Sequence, residues 1–186
     1  MKKYFMYILF LLLNIFAYSF TANTKEIPLY KMGDNDCAAF CITAIINSQV
    51  DNFINPSEIK KEIKVKGNVF PKEIKRIFKL KGYKAKFRII FKHFRIRYVK
   101  HQLYNKKPVM VVVLLPDGRL HWVVIMGIDK GGVNIYDPLY FAKNKEYTID
   151  NNGNAPGNMT MSEWKFLEWW DSGKFLGVGG FAISLK

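Results

Sequence analysis

The sequence predicts an α+β fold in which an N-terminal helical part packs against an antiparallel sheet. Apolar residues in the first half recur at helical spacing, whereas residues 109–137 form the continuous and alternating apolar runs of strands. A glycine-containing turn between two of these runs indicates a hairpin. The chain has 186 residues, of which 49% are hydrophobic and 24% charged. This composition suits one domain with a sizeable core and excludes a disordered polyelectrolyte and a multi-span membrane protein.

The first 22 residues have the pattern of a secretory signal. Two lysines precede a mostly apolar stretch from Tyr4 to Phe20, and small residues then lead into polar sequence. Cleavage after Ser19 or after Ala22 would suit a signal peptidase, and the polar residues that follow favour Ala22. We therefore expect a signal peptide at 1–22, one domain at 23–186, and a secreted or periplasmic location. An uncleaved segment would instead anchor the domain, because it nearly spans a bilayer.

Three helices are predicted before the sheet. The first opens at Cys37, with candidate caps at residues 34–36 and apolar residues at positions 37, 40, 41, 44 and 45. The second begins at Asn55, which Pro56 and Glu58 follow as a capping box. The third starts at Pro71 and should end at Gly82.

The remaining elements are mostly strands. We expect a half-buried strand at 83–91, a weakly patterned helix at 94–105, and a central strand at 109–115 that is covered on both faces. Strands at 121–128 and 133–136 follow, joined by a three-residue loop at 129–131. A capping box from Thr160 to Glu163 predicts a further helix, and residues 175–185 form the last strand.

The chain is strongly basic, with a net charge of +14. Residues 60–107 contain 18 lysines and arginines and only two acids. Such a run is most often a solvated face, but it can also contact an anionic envelope surface, lipid headgroups or an acidic substrate. We predict no specific nucleic acid partner.

Three residues form a candidate catalytic set. A helix N-terminus favours the thiolate form of a cysteine, and Cys37 has this position. A nearby histidine would act as its base, oriented by a carboxylate. With the three-residue loop, Asp137 would lie opposite Val123 and diagonal to His121, at a distance from which a carboxylate can hold an imidazole.

The order of these motifs resembles the papain-like cysteine peptidases, specifically the bacterial double-glycine leader peptidases and their stand-alone relatives. The resemblance rests on Cys37 opening a helix, Pro108 before an apolar strand, the run from His121 to Gly127, and the pair Asp137 and Pro138. It implies a papain-like fold with Cys37 as nucleophile, His121 as base and then acid, and Asp137 orienting the imidazole.

The chain departs from that family at two positions. The family usually has glutamine six residues before the cysteine, where this chain has Lys31, and commonly has glycine at the position of Ala38. The glutamine donates a hydrogen bond to the oxyanion of the reaction. Lys31 or Asn35 would have to supply that donor here, together with the backbone N–H of Cys37.

The sequence therefore predicts an exported cysteine peptidase that acts on a peptide or protein substrate as a monomer, without metal or cofactor. Two alternatives remain: an acyl transferase of transglutaminase type, and a catalytically degenerate domain that binds an anionic or peptide partner. Cys41 lies one turn further on the same helix face as Cys37, and we interpret it as a core residue.

Overall fold

The computed structural model describes residues 20–21, 36–50, 54–65, 67–139, 159–173 and 179–186. Within these residues, five α-helices accompany seven β-strands. The helices are α1 (Cys37–Asn47), α2 (Pro56–Glu62), α3 (Pro71–Leu80), α4 (Arg95–Tyr104) and α5 (Glu163–Ser172), with a 3₁₀ turn at Lys92–Phe94 before α4. The strands are β1 (Phe20–Thr21), β2 (Ala85–Ile90), β3 (Val109–Leu114), β4 (Leu120–Asp129), β5 (Gly132–Tyr136), β6 (Met159–Met161) and β7 (Gly180–Leu185).

The described strands form one antiparallel sheet in the order β2, β7, β3, β4, β5 and β6. The short strand β1 pairs with β4 at Gly127 and Ile128. Because β3 pairs with β4 only as far as Ile125, β1 occupies the same side of β4 beyond the end of β3. The predicted α+β class, with N-terminal helices on an antiparallel sheet, is confirmed.

Helices cover both faces of the sheet. The first face packs against α1, α2 and α3 through alternate residues of β3 and β4, such as Val112 and Val124. The opposite face packs against α4 and α5 through the intervening residues, such as Val111 and Val123. This two-sided cover explains why β3 is apolar at every position rather than at alternate ones.

Helix α1 is buried on all sides. Every residue from Ala38 to Asn47 is buried, so the helix runs through the core instead of lying on the surface. Asp36 occupies the N-cap position, but its side chain makes no capping hydrogen bond. Its carboxylate instead accepts a hydrogen bond of 2.7 Å from Lys60 on α2. Asp36 therefore holds the predicted cap position. Its carboxylate does not make the expected capping hydrogen bond, because it forms an ion pair with Lys60.

The predicted starts of α2 and α3 are confirmed. The side chain of Asn55 accepts a hydrogen bond from the backbone N–H of Ser57 at 2.9 Å. The side chain of Glu58 accepts one from the backbone N–H of Asn55 at 3.2 Å. Helix α3 begins at Pro71 and ends before Gly82, whose φ of +83° suits glycine at the end of a helix.

Two local predictions are wrong. Thr160 does not start a capping box, because it lies in β6 and donates a hydrogen bond from its hydroxyl to Asn134 at 2.8 Å. Ser162 takes the N-cap position of α5 instead. In β2, the alternation fails at the end of the strand, where Ile89 is exposed and Ile90 is buried under the α4 layer.

No helix within the described ranges combines the length and the apolar composition that crossing a bilayer requires. The predicted signal peptide lies outside the described residues, apart from Phe20 and Thr21.

Candidate active site

Cys37 is the first residue of α1 and is half-buried. Its helix is fixed by the core on every side, so the thiol is carried on a rigid support. The first turn of α1 is closed by hydrogen bonds from the backbone N–H groups of Ala39 and Phe40 to the carbonyl of Asp36. The backbone N–H of Cys37 lies at the N-terminus, where helix N–H groups have no partner within the helix.

His121 and Asp137 are hydrogen-bonded to each other. The Nε2 atom of His121 lies 2.6 Å from Oδ1 of Asp137, and both side chains are buried. The same carboxylate oxygen accepts from the backbone N–H of Leu139 at 2.8 Å. This second bond holds the carboxylate in place, so the imidazole is oriented by a fixed group rather than by a mobile side chain.

The structure brings these two residues together by a different register from the one predicted. The turn between β4 and β5 contains two residues, Lys130 and Gly131, because Asp129 pairs with Gly132. A β-bulge between Ile125 and Gly127 then shifts the register by one residue. The shorter turn and the bulge cancel, and Val124 pairs with Tyr136, as the predicted register requires.

The thiol of Cys37 completes the set. Its sulfur lies close enough to His121 to help raise the pKa of the imidazole. Since Nε2 of the imidazole is engaged by Asp137, Nδ1 is the ring nitrogen left for the sulfur. The described structure therefore brings together the three residues that the sequence singled out, with the imidazole between the thiol and the carboxylate.

The environment of His121 favours its protonated form. Burial lowers the pKa of this imidazole, but the hydrogen bonds and negative charges of Asp137 and Cys37 outweigh burial and raise the pKa to about 9. An imidazolium at neutral pH is the partner that a thiolate requires. The site can therefore hold a proton on His121 at neutral pH.

Cys41 differs from Cys37 in every respect that bears on reactivity. It has no exposed surface, and its Sγ donates to the backbone carbonyl of Trp122 at 3.1 Å. Burial, followed by the negative charges of Cys37 and Asp137, raises the pKa of the Cys41 thiol well above its ordinary value. Cys41 is thus a core residue that links α1 to β4.

An open cleft begins at Cys37. Its empty volume, which includes open solvent, is about 520 Å³. The lining is mostly apolar and consists of Cys37, Gly67, Asn68, Val69, Phe70, Pro71, Val112, Leu120, Trp122 and Phe181. The indole Nε1 of Trp122 donates to the carbonyl of Val69 at 2.9 Å, which fixes one cleft wall to the sheet.

The cleft walls were not predicted from the sequence. Phe70 and Phe181 come from distant parts of the chain, and Asn68 lies in a short connection without a motif of its own. A signal in the sequence was Phe70 itself, an apolar residue directly before Pro71 that lies outside the helical pattern of α3.

Lys31 and Asn35, the predicted oxyanion donors, lie outside the described residues. Among the residues that the structure does describe, no group of three or more histidine, cysteine or acidic side chains is arranged to hold a metal ion.

The fold is similar to those of several solved peptidase structures. A C39-like peptidase from Bacillus anthracis has a TM-score of 0.59 and 16% identity, and the match covers 91% of this chain and 98% of that one. The peptidase domain of Streptococcus ComA, a bifunctional ABC transporter involved in quorum sensing, has a TM-score of 0.58 and 16% identity, with coverage of 84% and 95%.

A third structure is a double-glycine motif protease from an AMS/PCAT transporter in complex with a leader peptide. Its TM-score is 0.54 at 14% identity, and the match covers 88% of this chain and 94% of that one. These likenesses show a shared fold. A comparison with curated proteins gave no significant match.

The family assignment rests on the sequence itself. The model of the peptidase C39 family matches residues 26–153, which is more than half of the chain and includes Cys37, His121 and Asp137. Together with the helix, sheet and cleft described above, this match establishes that the chain belongs to the peptidase C39 family and has a cysteine peptidase-like domain.

Proposed function

We propose that this protein is an active, exported cysteine peptidase that hydrolyses peptide bonds with Cys37, His121 and Asp137. The observation that carries the proposal is the buried hydrogen bond of 2.6 Å between His121 and Asp137, beside the first residue of α1, Cys37, whose charge helps raise the pKa of the imidazole. A thiol, a base and a group that orients the base are the parts that covalent acyl transfer requires.

The reaction would proceed in two halves. His121 takes the proton of Cys37, and the thiolate attacks the carbonyl carbon of the peptide bond to give a tetrahedral oxyanion. As that intermediate collapses, His121 gives the proton to the leaving amine, and a thioester forms on Cys37. His121 then deprotonates a water that attacks the thioester, which releases the acid product and restores the thiol.

The oxyanion needs hydrogen-bond donors near the sulfur. The backbone N–H of Cys37 would supply one, and Lys31 or Asn35 would supply the second. Loss of one such donor typically reduces turnover by about 100- to 1,000-fold. The alanine variant that shows this loss, Lys31→Ala or Asn35→Ala, identifies the donor. Lys31→Gln, which restores the residue usual in the family, should retain activity.

The substrate would be an extended or helical peptide segment that lies in the cleft. The lining offers apolar walls at Phe70, Trp122 and Phe181, and the Asn68 amide is available for a backbone group of the peptide. The leader peptide bound to one structural relative supports a peptide substrate for this chain as well.

Export would follow from the N-terminal segment, and the pairing of Phe20 and Thr21 with β4 favours the bond after Ser19. Cleavage after Ala22 would remove this strand from the domain, whereas cleavage after Ser19 retains it. N-terminal sequencing of the protein released by a producing cell should therefore begin at Phe20. A sequence that begins at Asn23, or a protein that stays inside the cell, would contradict this part of the proposal.

The proposal is tested by incubating the purified protein with a peptide mixture and identifying new amino termini by mass spectrometry. Cleavage should be lost in Cys37→Ala and kept in the matched variant Cys41→Ala, which removes the other thiol. A labelled amine added to the same reaction separates the alternatives. Its incorporation into glutamine side chains without cleavage would indicate a transglutaminase-type enzyme, and neither product would indicate a degenerate domain.

A further inference from the structure

Aromatic side chains are exposed along one side of α4 and the turn before it. Phe91 is 63% exposed, Phe94 is 58% exposed, and Tyr104 is 73% exposed. Phe94, Arg97, His101 and Tyr104 follow the spacing of a single helix face, because they are three, four and three residues apart. The opposite side of α4 is buried in the core. We call the exposed side, together with Phe91 and Lys92, the α4 surface.

The chain segment that contains the α4 surface carries basic residues and no acidic ones. Residues 84–107 include nine lysines and arginines and no acid. Three of the nine have an acidic partner: Lys92 and Arg95 pair with Asp171, and Lys100 pairs with Glu163. Arg97 forms no ion pair within the described part of the chain. Burial raises the pKa of Tyr98 on α4, and the charge of Arg88 on β2 opposes this rise, so Arg88 lies close to α4. The surface is therefore positive as well as aromatic.

We propose that the α4 surface binds anionic phospholipid headgroups at a membrane. Aromatic rings, such as those of phenylalanine and tyrosine, and basic side chains with apolar stems are the groups that favour the interface of a bilayer. Each lysine or arginine near an anionic leaflet adds a roughly constant increment to the affinity. The α4 surface combines both kinds of side chain on one exposed face.

The position of β1 supports a lipid rather than a nucleic acid as the occupant. Exposed aromatic rings among basic side chains would also suit single-stranded nucleic acid. However, the apolar sequence 4–19 is joined directly to β1, and β1 lies against α4. If that segment enters the membrane during the proposed export, β1 would place α4 beside the bilayer until the segment is cleaved off, and the α4 surface would have to hold the processed protein there by itself. This argument rests on the proposed export and not on the proposed catalysis.

Membrane binding through the α4 surface would leave the cleft accessible. Helices α4 and α5 cover one face of the sheet, whereas α1 and α3, which contribute Cys37 and Pro71 to the cleft, cover the other. The protein would then act on peptides at the membrane surface with its cleft open to the solvent.

The experiment uses the processed protein released by the producing cell and measures its sedimentation with vesicles. The vesicles contain either phosphatidylcholine alone or phosphatidylcholine with 30% phosphatidylglycerol. The test variant is Arg88→Gln with Arg97→Gln. The matched control, Lys72→Gln with Lys75→Gln, removes the same charge from α3 on the other face of the sheet. A third variant, Phe91→Ser with Phe94→Ser, removes two of the three aromatic rings without changing the charge.

The expected result is binding to the phosphatidylglycerol vesicles alone. The arginine variant should lose roughly 20- to 30-fold in affinity, and the lysine control should lose severalfold less. The phenylalanine variant should lose affinity at every salt concentration. Equal losses in the arginine variant and the lysine control, unchanged binding in the phenylalanine variant, or tighter binding to single-stranded RNA than to vesicles would each overturn the proposal. Peptide cleavage by the same samples reports on the proposed catalysis separately.

Discussion

The carboxylate of Asp137 places a negative charge beside a buried imidazole. Because His121 is almost inaccessible to water, this charge is poorly screened and has a large effect on the protonation of the ring. The raised pKa of His121, about 9, makes the imidazolium the dominant form over the whole physiological range. The properties of the site therefore depend on a residue that would not itself touch the substrate.

Replacing Asp137 with asparagine should lower the pKa of His121 from about 9 towards its ordinary value of 6.5. Asparagine keeps the shape and an acceptor for Nε2 but removes the charge. A titration of the imidazole resonances by NMR measures this change, and Asp117→Asn, at an exposed carboxylate paired with Arg119, is the matched control. An unchanged pKa in Asp137→Asn would contradict the role assigned to the charge.

The same substitution predicts a pH-dependent loss of stability. A histidine whose pKa is higher in the folded state stabilises the fold fully below pH 6.5 and loses this contribution as the pH rises through 9. Urea unfolding should therefore show Asp137→Asn to be less stable than the wild type at pH 6, with a gap that narrows towards pH 9.5. A stability difference between the two proteins that grows with pH would contradict this prediction.

At the level of single residues, the sequence was sufficient to select the catalytic candidates but not to derive their geometry. Cys37, His121 and Asp137 were selected by helix position, strand parity and family order. The route by which the hairpin joins His121 to Asp137 was wrong in two details that cancel, a turn one residue shorter and a bulge before Gly127. Bulges leave little trace in a single sequence, since they depend on the twist of the whole sheet.

Among the elements, helix α3 contributes Pro71 to the cleft wall. The carboxylate of Glu73 on α3 bonds the chain just after α2. Glu73 accepts two hydrogen bonds from Arg76, at 2.7 and 2.6 Å, and one from the backbone N–H of Lys64 at 3.0 Å. The hydrogen bonds of Arg76 lower the pKa of Glu73 to about 2, against the opposing effect of burial.

Glu73→Gln should therefore destabilise the protein at neutral pH, by roughly 2–4 °C in the unfolding midpoint. Because the folded-state pKa is depressed, the contribution of Glu73 is present above pH 4.5 and is lost as the pH falls through 2. Thermal melts of the variant and of the exposed control Glu168→Gln, recorded at pH 7 and pH 2.5, measure the difference. A destabilisation that is larger at pH 2.5 would contradict this account.

Elements with a local signal were predicted, and elements without one were missed. The capping box of Asn55 and the proline at the start of α3 specify their helices within a few residues. The strands β1 and β6 contain only two and three residues, and each exists only because a partner strand lies beside it. Such short edges follow from tertiary pairing and not from the periodicity of their own sequence.

For the whole molecule, Arg95 joins parts of the chain that are far apart in sequence. Its guanidinium is fully buried, donates to Asp171 on α5 at 2.8 Å and lies over the ring of Trp170 at 5.2 Å. Its Nη2 has no hydrogen-bond partner among the described residues. Asp171 is therefore the carboxylate partner of a buried charge, and this pair connects α4 to α5.

Asp171→Asn should cost about 3 kcal/mol in unfolding free energy, because it leaves the guanidinium of Arg95 buried without its charge partner. The double variant Arg95→Met with Asp171→Asn removes the charge as well and should recover most of that loss. Urea denaturation of the single and double variants provides the comparison. A double variant that is less stable than Asp171→Asn would show that the arginine stabilises the fold by packing and not through its ion pair.

The central claim is that Cys37 and His121 form a reactive pair while Cys41 stays an inert core thiol. The most direct measurement is the rate of alkylation of each cysteine by iodoacetamide in the folded protein at pH 6, mapped by peptide mass spectrometry. We expect Cys37 to react at least ten times faster than Cys41, and His121→Ala to remove the difference. Equal, slow labelling of both thiols, or fast labelling of Cys37 that persists in His121→Ala, would contradict the proposed catalytic pair.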